Sequence, residues 1–307
     1  MQPAVRRPYC FASWHITDIC NFKCEYCSYG KSSYRKSLRQ AHTKLRDRFS
    51  SGSQYVLKDE LDRVIQTFSA TGAAMTFGFT GGEPFVVEGF NELLQRLMEV
   101  PHFAVAIDTN LSASIQSFMK HVPPGRVEYI FASMHIQERE RFSNGVDRFI
   151  ERAKILQENG YHLIVNYVLY PPLIERFLDD FEYAKSKGVH LAPKPFKGRY
   201  RGQLYPDAYT EQQRQVFKRL DPSMNIRAET VPNYRGRICN DGKSLIRIDP
   251  NGDVTRCKTD RQLLGSIYTG IQLFDELQPC RVNRCPCFGP ERLFQVQPVC
   301  DRLMSHS

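Results

Sequence analysis

Three of the ten cysteines lie within eight residues, at Cys20, Cys24 and Cys27; none follows until Cys239, and six fall among the last 69 positions. Grouped thiols at both ends of a chain suggest two metal sites. A structural zinc asks for four ligands, usually as two close pairs, and the first group has no fourth ligand nearby. Three thiolates on a four-iron cube leave one iron open, which is what chemistry on a bound molecule requires. Disulfides are the competing use, but the opening Met1–Arg7 is followed by no apolar run of signal-peptide length. The best candidate for a membrane span, residues 161–174, is interrupted by His162, Asn166, Pro171 and Pro172. A soluble cytoplasmic protein with reduced thiols is expected.

The elements that must position these thiols alternate along the first two thirds of the chain. Short β-branched or aromatic runs at 10–17, 74–79, 103–108, 127–133, 162–168 and 189–192 predict strands. Between them, 58–70, 89–100, 111–121, 146–159 and 173–186 predict helices; Leu61, Val64, Ile65 and Phe68 recur on one helix face. Asn159-Gly160 and Lys187-Gly188 read as helix stops. Strand–helix repetition means parallel strands joined by right-handed crossovers. Six units fall short of a closed eight-fold barrel, so an α/β fold with an open, partial (β/α)6 barrel is expected, its site at the C-terminal strand ends. Three regions follow: a barrel over 1–195, a connecting segment over 196–238 with a helix at 210–220, and a cysteine-rich extension over 239–307. In the extension, Pro250-Asn251-Gly252 predicts a hairpin between 245–249 and 254–257, and 271–277 predicts a short helix.

Cys20-Asn21-Phe22-Lys23-Cys24-Glu25-Tyr26-Cys27, directly after the first predicted strand, resembles the cysteine signature of radical S-adenosylmethionine (SAM) enzymes. Thr80-Gly81-Gly82-Glu83-Pro84, after the second, is similar to their GGEP motif. The resemblance covers roughly residues 10 to 195. It implies a [4Fe–4S] cluster on Cys20, Cys24 and Cys27 whose open iron chelates SAM. An electron splits the sulfonium to a 5′-deoxyadenosyl radical, which removes a hydrogen atom from substrate. It further implies that Gly81, Gly82 and Glu83 face the SAM methionine, with the glycines admitting close backbone approach, and that Tyr26 packs near the adenine. Asn110 and Ser133, at the ends of the third and fourth strands, and Asn166, within the fifth, become SAM- or site-contacting residues. His135 becomes the candidate for substrate contact or proton transfer, as a histidine able to titrate near neutral pH. Trp14 and His15 are expected in the core.

In the tail, Cys239-x12-Gly252-x4-Cys257 resembles the opening of the SPASM and twitch extensions of these enzymes. That implies a second, auxiliary [4Fe–4S] cluster drawn from Cys239, Cys257, Cys280, Cys285 and Cys287, with tetrahedral zinc as the alternative. Cys10 and Cys300 are expected as free or buried thiols.

The chain carries 42 Lys and Arg against 33 Asp and Glu, a net charge of +9. Seven of these cations, Lys31, Arg35, Lys36, Arg39, Lys44, Arg46 and Arg48, follow the first thiol group and suit an anionic ligand. No recognised RNA-binding motif and no patterned stacking aromatics accompany them, which disfavours nucleic acid. Nine residues precede the first predicted strand, too few for an N-terminal peptide-recognition domain, which favours a small substrate. The expectation is an oxidoreductase that dehydrogenates a small polar or anionic molecule such as a sugar derivative. A flavodoxin or ferredoxin would donate the electron, and there is no membrane partner. Peptide modification (crosslinking, epimerisation or side-chain oxidation) is the alternative substrate reading. A non-catalytic iron–sulfur or zinc carrier is the alternative class, against which the GGEP-like motif speaks.

Overall fold

The computed structural model describes residues 8–27, 54–220 and 233–283. The basic segment Lys31–Arg48 and the thiols Cys285, Cys287 and Cys300 lie outside the described residues. Six parallel strands stand side by side in chain order: β1 (Tyr9–Thr17), β2 (Ala74–Gly81), β3 (Phe103–Thr109), β4 (Val127–Ser133), β5 (Leu163–Leu169) and β6 (Leu191–Pro195). They alternate with helices α1 (Gln54–Ser69), α2 (Phe90–Met98), α3 (Gln116–His121), α4 (Ile136–Arg139), α5 (Gly145–Glu158) and α6 (Phe177–Ser186). This is the open, partial (β/α)6 barrel that the alternation predicted.

Strand periodicity decides which side chains reach the helices. In β1, Cys10, Ala12 and Trp14 are buried toward them, and Trp14 meets Phe68 of α1 at 5.8 Å between ring centroids. Phe79 of β2 meets Phe90 of α2 edge-on at 5.1 Å, and α2 buries Leu93, Leu94 and Leu97 beneath it. Each of these leucines, cut to alanine, would cost about 2–5 kcal/mol. The opposite face of the strands carries Ser13, Asp108, Ser133, Asn166 and Lys194, which leaves polar groups at one side of a sheet whose other side is hydrocarbon.

After β6 the chain forms a two-stranded hairpin, β7 (Gly198–Tyr200) with β8 (Gln203–Tyr205), then helix α7 (Glu211–Leu220). Beyond β9 (Ile238–Cys239) comes β10 (Leu245–Ile248), which pairs parallel with β1, from Phe11 opposite Leu245 to Trp14 opposite Ile248. β11 (Asp253–Thr255), β12 (Leu263–Ser266) and β13 (Gly270–Ile271) continue antiparallel, so barrel and tail share one ten-stranded sheet. A last strand, β14 (Gln278–Pro279), pairs with β9. Among the described residues no helix is long and apolar enough to cross a membrane.

Two expectations fail locally, each for a backbone reason. The helix expected from Leu111 begins only at Gln116. The Thr109 hydroxyl and the Asn110 carbonyl oxygen accept the amides of Leu111 and Ser112, and these side-chain bonds compete with the helical ones. The helix expected over 271–277 does not form. The amides of Gln272 and Phe274 donate instead to Leu264 and Gly242, which ties the segment across other strands. The β7–β8 hairpin was not expected, because its glycines and basic residues read as an irregular connection.

Candidate active site

The loop bearing Cys20, Cys24 and Cys27 leaves the C-terminal end of β1, where such a barrel keeps its chemistry. Cys20 is exposed and the other two thiols are half-buried. Burial, and then the neighbouring Glu138, Cys27 and Cys20 charges, push the Cys24 thiol up to about 12. The three thiols therefore sense one another, yet among the described residues no three His, Cys, Asp or Glu side chains converge on a single ion. A four-iron cube takes each thiolate on a different iron and does not ask for such convergence. Soft donors in threes, on a loop open to solvent at Cys20, fit that group.

Gly81 and Gly82 explain how the loop is seated. A Cβ on Gly82 would fall 2.0 Å from the Ile19 carbonyl oxygen, and one on Gly81, at φ +128°, would fall 2.2 Å from that of Thr17. The amides of Gly82 and Glu83 donate to those same two carbonyls at 2.7 and 2.9 Å. The glycines thus dock the end of β2 onto the start of the cluster loop, a service to the protein's own backbone that the sequence reading did not foresee.

Glu83 is fully buried and its carboxylate is occupied by protein donors: the Thr109 hydroxyl at 2.8 Å, the Asn110 amide at 2.6 Å and the Phe85 amide at 3.2 Å. Burial raises its pKa, and those hydrogen bonds together with Arg139 hold it back. Through these bonds it acts as a strut between β2 and β3. Asn110 does reach the loop: its side-chain amide donates to the Asn21 carbonyl oxygen at 2.8 Å and lies 3.8 Å from the Cys20 sulfur. Ser133, the last residue of β4, stands in register with Asn166 in the middle of β5.

Tyr26 and His135 share a hydrogen bond of 2.8 Å at His135 Nδ1, and the Tyr26 ring packs on Tyr170 at 5.2 Å. Burial, and then the charges of Arg139 and Lys194, push the His135 pKa down to about 3. The shift favours the neutral ring and runs against the expectation of titration near pH 7. As a neutral imidazole beside a phenol it can accept one hydrogen bond and donate another.

Sequence reasoning missed two residues of α4. Glu138 accepts the Lys23 amide at 3.0 Å and so grips the cluster loop between its first two cysteines. Arg139 is buried, donates to the carbonyls of Met134 (2.6 Å) and Asn110, and lies over the rings of Phe22 and Phe149 at 5.3 and 4.1 Å. Burial lowers its pKa to about 9. The only signal in the sequence was position, just past the fourth strand. Trp14 and His15 are buried as expected, but His15 is a hydrogen-bonding residue within the core.

In the tail, β9 and β14 bring Cys239 near Cys280, and Asp241 lies close enough to influence both Cys239 and Cys257. Burial pushes Cys239 and Cys257 each up to about 11. Arg256, with 2 % exposure, ties this region together through the carbonyls of Asp241, Gln278 and Pro279 at 2.9–3.1 Å.

The sequence pattern of the radical SAM superfamily matches residues 14–184. The GTP 3′,8-cyclase of Actinobacillus succinogenes is 30% identical over 196 residues, covering 61% of this chain and 54% of that protein. That of Aquifex aeolicus is 23% identical over 184 residues, covering 57% and 53%. The chain thus spans about half the length of the curated relatives it matches. Among solved structures, native anSMEcpe with bound AdoMet superposes with a TM-score of 0.54 over 86% of this chain and 79% of its own, at 17% identity, a likeness of fold. Signature loop, strand order and family pattern agree over more than half of the sequence: the chain belongs to the radical SAM superfamily.

Proposed function

We propose that the chain is a hydrogen-abstracting radical SAM enzyme that acts on a small anionic substrate held over the strand ends, in an oxidation of the dehydrogenation type. Family membership implies a [4Fe–4S] cluster and SAM, which when bound supply a 5′-deoxyadenosyl radical able to remove a substrate hydrogen atom. Cys20, Cys24 and Cys27 would hold the cluster. Asn110, Ser133, Asn166, Tyr26 and His135 would orient what binds above it, and the seated loop would fix their common distance to the reacting atom.

The observation that carries the anionic reading is Lys194. It projects from β6 on the polar side of the sheet, and its charge acts both on Asp108 of β3 and on His135. A lysine that reaches two strand ends is placed to meet a phosphate or carboxylate. The curated relatives are named for GTP, which is such an anion. The likeness to anSMEcpe supports the fold and carries no substrate.

We further infer an auxiliary [4Fe–4S] cluster in the tail, on Cys239, Cys257 and Cys280, together with Cys285 or Cys287. The Asp241-linked thiols support that reading, and such a cluster would supply a destination for the surplus electron of an oxidation. A flavodoxin or ferredoxin would serve as donor to the first cluster.

The test is the rate of 5′-deoxyadenosine formation under anaerobic reduction, with phosphorylated sugars, nucleotides and short peptides compared. Phosphorylated compounds should stimulate turnover and, when deuterated at the carbon attacked, transfer deuterium into the 5′-deoxyadenosine. Lys194→Ala should raise their KM about tenfold, the worth of one charge-assisted hydrogen bond. Stimulation by uncharged peptides alone would contradict the proposal.

A further inference from the structure

We propose that Arg247, delivered by the tail strand β10, is a positioning residue for the catalytic cluster loop, acting through His15 and Asp18. A guanidinium nitrogen of Arg247 lies 3.2 Å from His15 Nδ1, and His15 Nε2 lies 2.6 Å from Asp18 Oδ1. Arginine has donors only, so Nδ1 must accept. The ring proton then sits on Nε2, the nitrogen that lies beside the Asp18 carboxylate oxygen. Asp18 stands two residues before Cys20, and the next carbonyl, that of Ile19, accepts the Glu83 amide at 2.9 Å.

The chain of bonds is shielded from water: the side chains of His15, Asp18 and Arg247 are 2, 5 and 18% exposed. In such surroundings each hydrogen bond polarises the next and a mispaired one is costly. Asp249 lies 3.4 Å from the far side of the guanidinium. The ring edge of His15 also fills the space beside Gly81, where a Cβ would fall 2.7 Å from its Cδ2. His15 is therefore the hinge pin between the β2 end, the cluster loop and the tail. Without Arg247, Nδ1 would be free to carry the proton, and Nε2 would turn a lone pair toward the Asp18 carboxylate. Groups that orient a metal site's ligands from behind change affinity by about 10–100-fold when removed.

This inference rests on family membership and not on the identity of the substrate, so it stands or falls separately from the substrate reading. The experiment uses anaerobically reconstituted full-length protein and reads SAM binding, by equilibrium dialysis and by the SAM-induced change in the electron paramagnetic resonance spectrum of the reduced cluster. Arg247→Met should bind SAM about tenfold more weakly with an altered spectral change, at unchanged iron content. Arg247→Lys, which still donates to Nδ1, should recover most of the affinity. Asp18→Asn cuts the other end of the chain and should reproduce the loss; it decides the matter if Arg247→Met does not fold. SAM affinity within twofold of the unmodified protein and an unchanged spectrum, in a folded and cluster-loaded variant, would overturn the proposal. So would equal losses in the Met and Lys variants, which would make Arg247 a packing residue only.

Discussion

Two thiol-bearing regions of this molecule are organised by a buried arginine, and they differ in what that arginine reaches. Arg139 joins carbonyls at the ends of β3 and β4 to the Phe22 ring, so the catalytic loop is tied to segments far apart in sequence. Arg256 gathers the carbonyls of Asp241, Gln278 and Pro279 and pairs with Asp260 at 3.2 Å, all within the tail itself. The first region can therefore be no more accurate than the barrel beneath it, while the second is wrapped locally. A loop that must aim a radical at one hydrogen atom gains from the rigid scaffold; a site that only holds a cluster does not need it.

Four perturbations bear on that contrast. The largest is removal of one set of thiols. Replacing Cys20, Cys24 and Cys27 by alanine should abolish SAM cleavage and lower iron from about eight to about four per chain, whereas Cys239/Cys257→Ala should remove the other four and spare SAM binding. Iron and sulfide analysis together with a SAM-binding titration read both arms.

Next comes the arginine itself. Arg139→Met should destabilise the protein by about 1–3 kcal/mol in urea unfolding, because it leaves the Met134 and Asn110 carbonyls without their buried donor. Arg256→Met should cost stability too, yet leave SAM affinity unchanged; loss of SAM binding in that variant would blur the two regions into one.

Gly82→Ala is a comparable insult confined to the first region. The added methyl meets the Ile19 carbonyl at 2.0 Å, and backbone cannot yield as a side chain can. A loss of about 1–3 kcal/mol in the same unfolding assay is expected.

The fourth perturbation is the pH dependence contributed by His135. Its folded pKa, about 3, lies below the ordinary 6.5. The folded state thus excludes a proton that the unfolded chain accepts. The stability associated with the neutral ring is complete above about pH 6.5 and declines as the pH falls from there toward 3. His135→Gln should flatten that part of the stability curve, measured on the metal-free protein.

Much of this was legible in the sequence, because strand–helix periodicity and a contiguous cysteine loop are local signals. The six strands and their order follow from apolar runs whose side chains meet the helices, as Trp14 and Phe79 do. What was illegible depends on contacts between distant segments. No pattern in residues 245–248 announces that this strand will pair with β1, so Arg247 could not be placed beside His15. Glu83 belongs to a motif associated with a ligand, and only the fold reveals that Thr109, Asn110 and Phe85 already occupy its oxygens. His135 illustrates the same limit for charge: its residue type suggests titration near neutrality, but burial and the nearby Arg139 and Lys194 decide otherwise.

The most direct test of the central claim is formation of 5′-deoxyadenosine by the anaerobically reconstituted protein with SAM and a strong reductant, set beside the Cys20/Cys24/Cys27→Ala variant. The account predicts 5′-deoxyadenosine and methionine in equal amounts from the unmodified chain and none from the variant. A fully iron-loaded protein that leaves SAM intact, or a variant that cleaves it as well as the parent, would contradict it.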